Sequence, residues 1–209
     1  MGRGFDPHGA YRETTPTGGF FFGRPKYTST MVFPLVTGRL GITPLARKHL
    51  ASFVRYRQDP LVARYQSWEP SYSDEQALDL IDSQTGVLFP ALGDWLQLAI
   101  ELRETHEHIG DLALHLVEGG VFEIGFTLAA EHQGNGYAKE AATRLLEYLF
   151  DEAKAELVFA TPDERNLSSI RLLRALGFQE VPERSWVEEF KNETVTVSYF
   201  ELRESSRAF

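Results

Sequence analysis

The chain has 209 residues, a formal net charge of −9, 43% hydrophobic and 12% aromatic residues, and no cysteine. That length suits one domain with or without an appendage, and the absence of cysteine excludes disulfides, thiolate metal sites and a cysteine acyl-enzyme. The acidic balance leaves no basic excess to neutralise nucleic-acid phosphates, and no apolar run approaches the ~20 residues that span a bilayer. Phe20-Phe21-Phe22 is too short for the apolar region of a signal peptide, so a cytoplasmic protein without membrane contact is expected.

Residues 1–37 read as a flexible N-terminal extension. Met1 to Thr30 is rich in Gly, Thr, Pro and Arg and has neither helical nor strand periodicity. Met31, just ahead of the first convincing strand, is a candidate initiator. The domain itself is expected over residues 38–205. Arg39 to Leu45 alternates apolar and polar residues and ends at a proline corner, as a strand does. Arg47 to Gln58 places Leu50, Phe53 and Val54 at helical spacing. Ser73 to Gln76 has the S-x-x-Q form of a capping box, and the helix it opens should fade near Pro90. Trp95 to Leu102, Ile109 to Val117 and Val121 to Leu128 read as strands, the last two joined by a Gly119-Gly120 hairpin turn.

The pattern then changes. Lys139 to Asp151 carries an apolar face of Ala141, Ala142, Leu145, Leu146 and Leu149, and Leu157 to Thr161 is a short strand. Asn166 to Leu176 is a second amphipathic helix, stopped by Gly177 as a C′ glycine. Two strand-like runs, Ser185 to Phe190 and Thr194 to Leu202, close the chain around Lys191-Asn192-Glu193. Strands, then a β-α-β-α unit, then a hairpin describe a mixed-sheet α/β domain.

The chemistry lies at the strand-to-helix junction after Leu128. Glycines at 134 and 136, directly before a helix, let several backbone N–H groups converge on one anion, and the helix N-terminus adds about half a positive charge. Such a loop needs no basic side chain, and it is equally compatible with a plain tight turn. A Walker loop would need Gly-Lys-Ser/Thr, which is missing. A dinucleotide fingerprint would need a small third residue, where Lys139 stands.

Gln133-Gly134-Asn135-Gly136-Tyr137-Ala138 resembles the Q/R-x-x-G-x-G/A motif of the GNAT superfamily of N-acetyltransferases, preceded by a strand, Glu123 to Leu128, like that family's fourth. Asn166-Leu167-Ser168-Ser169 and Leu176-Gly177-Phe178, about thirty residues on, resemble its N-x-x-S and LGF signature. RLGITPL near the start, RYQSWEP and the C-terminal hairpin are most similar to the RimJ and RimL branch, the ribosomal-protein acetyltransferases. The resemblance implies a GNAT fold: a mixed, mostly antiparallel sheet flanked by helices, with a splayed pair of parallel strands at the cofactor site. It implies acetyl-CoA as cosubstrate, no metal, and an amine-bearing small molecule or protein N-terminus as acceptor, with a homodimer possible.

Residue by residue, the resemblance assigns the backbone N–H groups of Gly134, Asn135, Gly136, Tyr137, Ala138 and Lys139 to the pyrophosphate of coenzyme A, and the motif gives Gln133 a cofactor-binding role, with a surface loop residue as the alternative. Phe126, Thr127 and Leu128 would pair with the pantetheine arm and supply the oxyanion donors. Asn166 and Ser169 would contact the arm or its neighbouring backbone, although Asn166 also suits an N-cap. The tyrosine that many relatives carry four residues after the signature serine is replaced by Leu173, so that acid is not carried over. A catalytically silent acyl-CoA-binding domain is therefore the alternative to an enzyme. Glu123 is the first candidate for general base. His108, Asp111 and His115 on the adjacent strand follow. His106 and His108 share a strand face without a third metal ligand. Trp68 and Tyr72 are candidates for the acceptor pocket.

Overall fold

The computed structural model describes residues 31–207. The reading of residues 1–30 as a tail lies outside them. Residues 31–37, expected in that tail, belong instead to the domain. Met31 is buried in the core, and β1 (Leu35–Val36) pairs antiparallel with β2 (Leu40–Pro44).

Helix α1 (Leu50–Arg57) is entered through a short 3-10 turn at Arg47–His49, and α2 (Pro60–Ala63) follows, capped by the Asp59 side chain. The capping box at Ser73 and Gln76 is formed and opens α3 (Asp74–Ser83). That helix ends earlier than the expected fade near Pro90. Gln84, its C-cap, turns inward to bond Trp95 O and Gln97 N. Strands β3 (Trp95–Leu102), β4 (His108–Glu118) and β5 (Val121–Leu128) form the antiparallel centre. His106 lies in the turn between β3 and β4 with φ of 59°, so it does not share a strand face with His108.

Helix α4 (Tyr137–Asp151) leads to β6 (Leu157–Ala160), and α5 (Leu167–Ala175) leads to β7 (Gln179–Glu180). Strands β8 (Trp186–Phe190) and β9 (Glu193–Val197) form a separate two-stranded sheet, turned through Lys191 and Asn192 at positive φ. The expected final strand, Thr194 to Leu202, is two strands. The chain leaves β9, bonds Ser198 N to Pro162 O at 2.9 Å, and enters β10 (Phe200–Arg203) beside β6. Apolar alternation runs through both segments, so periodicity does not reveal the change of sheet.

The main sheet has the order β1-β2-β3-β4-β5-β6-β10-β7, antiparallel except for β5 beside β6. Its two faces are separated by residue parity, because side chains on a strand alternate. Leu96, Leu98, Ile100, Leu112, Leu114, Phe122 and Ile124 point into the main core against Ala141, Leu145, Leu146 and Leu149 of α4. Each such side chain contributes about 1.5–3 kcal/mol by leaving water. The other face carries Trp95, Gln97, Ala99, Asp111, Ala113, His115, Glu123, Gly125 and Thr127, and it is this polar face that α1 and α3 roof over.

Gly110 is where β4 comes closest to the end of β5. A Cβ there would lie 2.2 Å from Thr127 O and 2.9 Å from Leu128 Cα, backbone atoms that cannot swing aside as a side chain can. Gly110→Ala is expected to lower unfolding free energy by about 3 kcal/mol. Gly125→Ala, whose Cβ would meet only Ala113 Cβ at 3.4 Å, should change it by less than about 1 kcal/mol. Urea denaturation of the two variants checks this; equal midpoints would contradict the close approach.

Candidate active site

Two connected cavities meet at the C-terminal half of β5. Parallel pairing between β5 and β6 covers only Val121, Phe122 and Glu123 against Leu157, Val158 and Phe159. Beyond Glu123 the strands diverge, and the chain from Phe126 to Leu128 borders open space.

The outer cavity runs from this divergence to the start of α4. Phe126, Thr127, Leu128, Gln133, Gly134, Gly136, Tyr137, Ala138 and Lys139 line it from one side, and Asn166 and Ser169 from the other. Gly134 and Gly136 have φ of 77° and 79°, the left-handed region that a side chain strains. The first α4 bond runs from Glu140 N to Gly136 O at 3.1 Å, leaving the N–H groups of Tyr137, Ala138 and Lys139 without intrahelical acceptors. Glu140 in that turn accepts from Arg39 N and Nε at 2.9 and 2.7 Å and so fastens the helix start to the β1–β2 turn. Gln133 donates to Leu128 O at 3.1 Å, which closes the loop. Asn135 does not line the cavity: its carbonyl accepts from Arg39 and its side chain from the loop is spent on His132 O and Gln133 O. Asn166 caps α5 by accepting from Ser169 N at 3.2 Å, while both residues also face the cavity. A turn whose first helical N–H groups lack intrahelical acceptors, beside an open strand edge, fits a pyrophosphate and an amide-bearing arm.

The inner cavity lies under the end of α1 and the loop that follows α2, and shares Tyr65, Gln66, Phe126, Thr127, Asn166 and Ser169 with the outer one. Its floor is the polar face of the sheet. Glu123, nearly buried, accepts from Thr161 Oγ1 at 2.9 Å and lies 3.4 Å from His115 Nδ1. His115 stacks on the Trp95 ring, with centroids 4.6 Å apart. Asp111 is fully buried and accepts from the Tyr56 hydroxyl and from Gln97 Nε2. Burial raises its pKa, a shift opposed by the Arg57 guanidinium and by those two bonds. Burial also pushes the Tyr56 hydroxyl well above its ordinary value, helped by the Asp111 charge.

Trp68 lines the inner cavity and stacks on Arg57, whose Cζ lies 3.7 Å from the Trp68 ring. Tyr72, expected beside it, lies behind that wall, buried with Phe53 in the second core cluster. His108 also faces elsewhere: it bonds Ser52 Oγ at 2.7 Å and packs against His49, under α1. Sequence reasoning did not single out Arg57, Trp95, Gln97 or Thr161. The period-2 pattern of Trp95, Gln97 and Ala99 within an otherwise apolar strand was the available signal; Arg57, amid the apolar residues of α1, gave none. Among the described residues, no group of three or more His, Asp or Glu side chains is arranged to hold a metal.

A sheet divided by a diverging parallel pair, with a glycine turn opening the following helix, defines a GNAT-fold acetyltransferase. The profile of the acetyltransferase (GNAT) domain matches residues 39–179, and the chain belongs to this family of N-acetyltransferases. An uncharacterized N-acetyltransferase, p20, of Bacillus licheniformis is 29% identical over 170 residues, covering 80% of this chain and 94% of that protein. A GNAT-family acetyltransferase from Bacillus anthracis superposes with a TM-score of 0.73 at 22% identity, covering 83% of this chain and 99% of that one. Spermidine N-acetyltransferase from Vibrio cholerae, solved with CoA and spermine, superposes with a TM-score of 0.70 at 21% identity, covering 81% and 98%.

The buried histidine under α1 has a consequence for stability. Burial, then the neighbouring His49, lowers the His108 pKa from 6.5 to about 3. The unfolded chain therefore binds a proton that the native state refuses, so stability present above pH 6.5 is lost as pH falls toward 3. This group alone should cost about 2 kcal/mol between pH 7 and pH 5. Denaturant unfolding at the two pH values measures it, and His108→Gln should flatten the slope. An unchanged slope in that variant would contradict the assignment.

Proposed function

We propose that the enzyme transfers acetyl from acetyl-CoA to a primary amine that enters the inner cavity, by direct attack on the thioester. The observation that carries this reading is the junction of the two cavities at Phe126 and Thr127. A turn whose N–H groups lack intrahelical acceptors lies on one side of it and carboxylates on the other. RLGITPL, RYQSWEP and the C-terminal hairpin support the RimJ and RimL branch, with a protein α-amine or a small amine as acceptor and the cytoplasm as setting.

In this reading the N–H groups at Gly134 to Lys139 hold the pyrophosphate, and the edge of β5 from Phe126 to Leu128 orients the arm. The thioester arrives already activated, so no enzyme nucleophile is needed. An alkyl ammonium with a pKa near ~10 must first lose a proton. Glu123 is the carboxylate on the cavity floor placed to take it, oriented by Thr161 and His115. As the new C–N bond forms, backbone N–H groups near Phe126 to Leu128 stabilise the oxyanion. The C–S bond then breaks, and the second proton passes from nitrogen to the departing sulfur, because apolar Leu173 stands where relatives place a tyrosine.

Calorimetric titration with acetyl-CoA, with NADH as the control ligand, should show one-site binding of the first alone. Gly136→Val should weaken that binding at least about tenfold by straining the turn and blocking backbone approach. Unchanged affinity would remove the phosphate-loop assignment. Glu123→Gln should keep acetyl-CoA affinity, lower kcat by about 10²-fold or more and alter the pH profile. Wild-type kinetics in that variant would eliminate Glu123 as base.

A further inference from the structure

The inner cavity contains a cation that amine binding alone does not explain. Arg57, at the end of α1, is 1% exposed, yet it lines the cavity. The faces of its guanidinium are taken by aromatic rings: Cζ lies 4.0 Å from the Phe53 ring, 3.7 Å from Trp68 and 4.9 Å from Tyr72. Stacking offers nothing to the in-plane N–H donors; the Tyr56 and Tyr72 hydroxyls lie against the guanidinium, but Nε and Nη2 are buried without a hydrogen-bond partner among the described residues. The internal carboxylate whose field Arg57 feels, Asp111, already accepts from Tyr56 and Gln97. Across the same floor, Gln97 Nε2 donates to Asp111, and its Oε1 is a buried acceptor with no donor among the described residues. Burying a charge or polar group unpaired is costly, and a pocket that leaves both a donor fork and an acceptor unpaired is shaped for a ligand that supplies both.

We propose that the acceptor is an amino acid, a primary amine carrying a free carboxylate, with the carboxylate paired to Arg57 and the ammonium directed to Gln97 and Glu123. This rests on the acetyltransferase reading above and narrows its substrate class. The carboxylate is not consumed. It holds the molecule so that its nitrogen meets the thioester at Phe126 and Thr127, and Trp68 and Trp95 flank the carbon skeleton. A spermidine-like polyamine offers no anion to Arg57 and would leave Nε and Nη2 without an acceptor.

The test is a set of matched acceptors: amino acids with aromatic, aliphatic and basic side chains, each beside its decarboxylated amine and its carboxamide, assayed with acetyl-CoA and the full chain. Wild-type enzyme should favour the carboxylate member of a pair by about a hundredfold or more in kcat/KM, since a site built to bond a polar group rejects the analogue lacking it. Arg57→Met, which keeps the apolar stem between the rings, should narrow that ratio mainly through KM, and Arg57→Lys should restore part of it. Acetylation of the decarboxylated amines as fast as, or faster than, the amino acids overturns the inference and leaves the transferase reading intact. Binding of acetyl-CoA with no member of any set acetylated overturns both. If Arg57→Met fails to fold, the wild-type ratios alone decide.

Discussion

The site depends on the point at which β5 loses its parallel partner. Two strands that share three registered residues and then separate leave a row of backbone groups that must find bonds elsewhere. That divergence creates the outer cavity, brings the end of β5 to the junction with the inner one, and gives the helix after it a free N-terminus facing the gap. Gly110 belongs to the same constraint. The adjacent strand reaches the end of β5 so closely that no Cβ fits, which holds the edge at Thr127 and Leu128 in place.

A second constraint is the division of the sheet by parity. One face is apolar and carries α4, which supplies the core and its stability. The other face is polar, roofed by α1 and α3, and it concentrates Gln97, Asp111, His115 and Glu123 in a space largely closed to water. Low dielectric strengthens each bond in this group and penalises each unpaired one. Asp111 is held by two donors, and Glu123 is held by Thr161 and His115. Arg57 has its faces covered by aromatic rings, while its Nε and Nη2 find no acceptor among the described residues. The roof is pinned from outside by Lys191, which donates to Ala63 O and Trp68 O at 2.9 and 2.7 Å and ties the separate β8–β9 sheet to the loop that carries Trp68.

Much of this was legible from local pattern. Helix α4 has an apolar stripe of regular spacing, Ser73 and Gln76 form the capping box their spacing announces, and Gly177 ends α5 with φ of 89°. The glycine turn could be read because only glycine tolerates the two positive φ values that aim the N–H groups. The misreadings share a physical cause. The final apolar alternation crosses from one sheet to another at Ser198 and Tyr199, and Leu35–Val36 joins the main sheet despite its polar, proline-containing surroundings. Both are long-range pairings, and period-2 alternation carries no information about the partner strand.

By itself, then, the amino-acid order determined the elements, the family motifs and the loop that opens α4, because these rest on backbone propensity and spacing over a few residues. The tertiary structure decided what the inner cavity contains. Trp95, Gln97, Asp111 and Glu123 come from three strands, Arg57 from a helix and Trp68 from a loop, and only register and packing bring them together. It also separated residues that chain order placed side by side: Trp68 faces the cavity while Tyr72 is buried behind it, and His108 packs under α1 instead of above the reacting groups. Side-chain direction is set by the partner an element packs against, and that partner is distant in the chain.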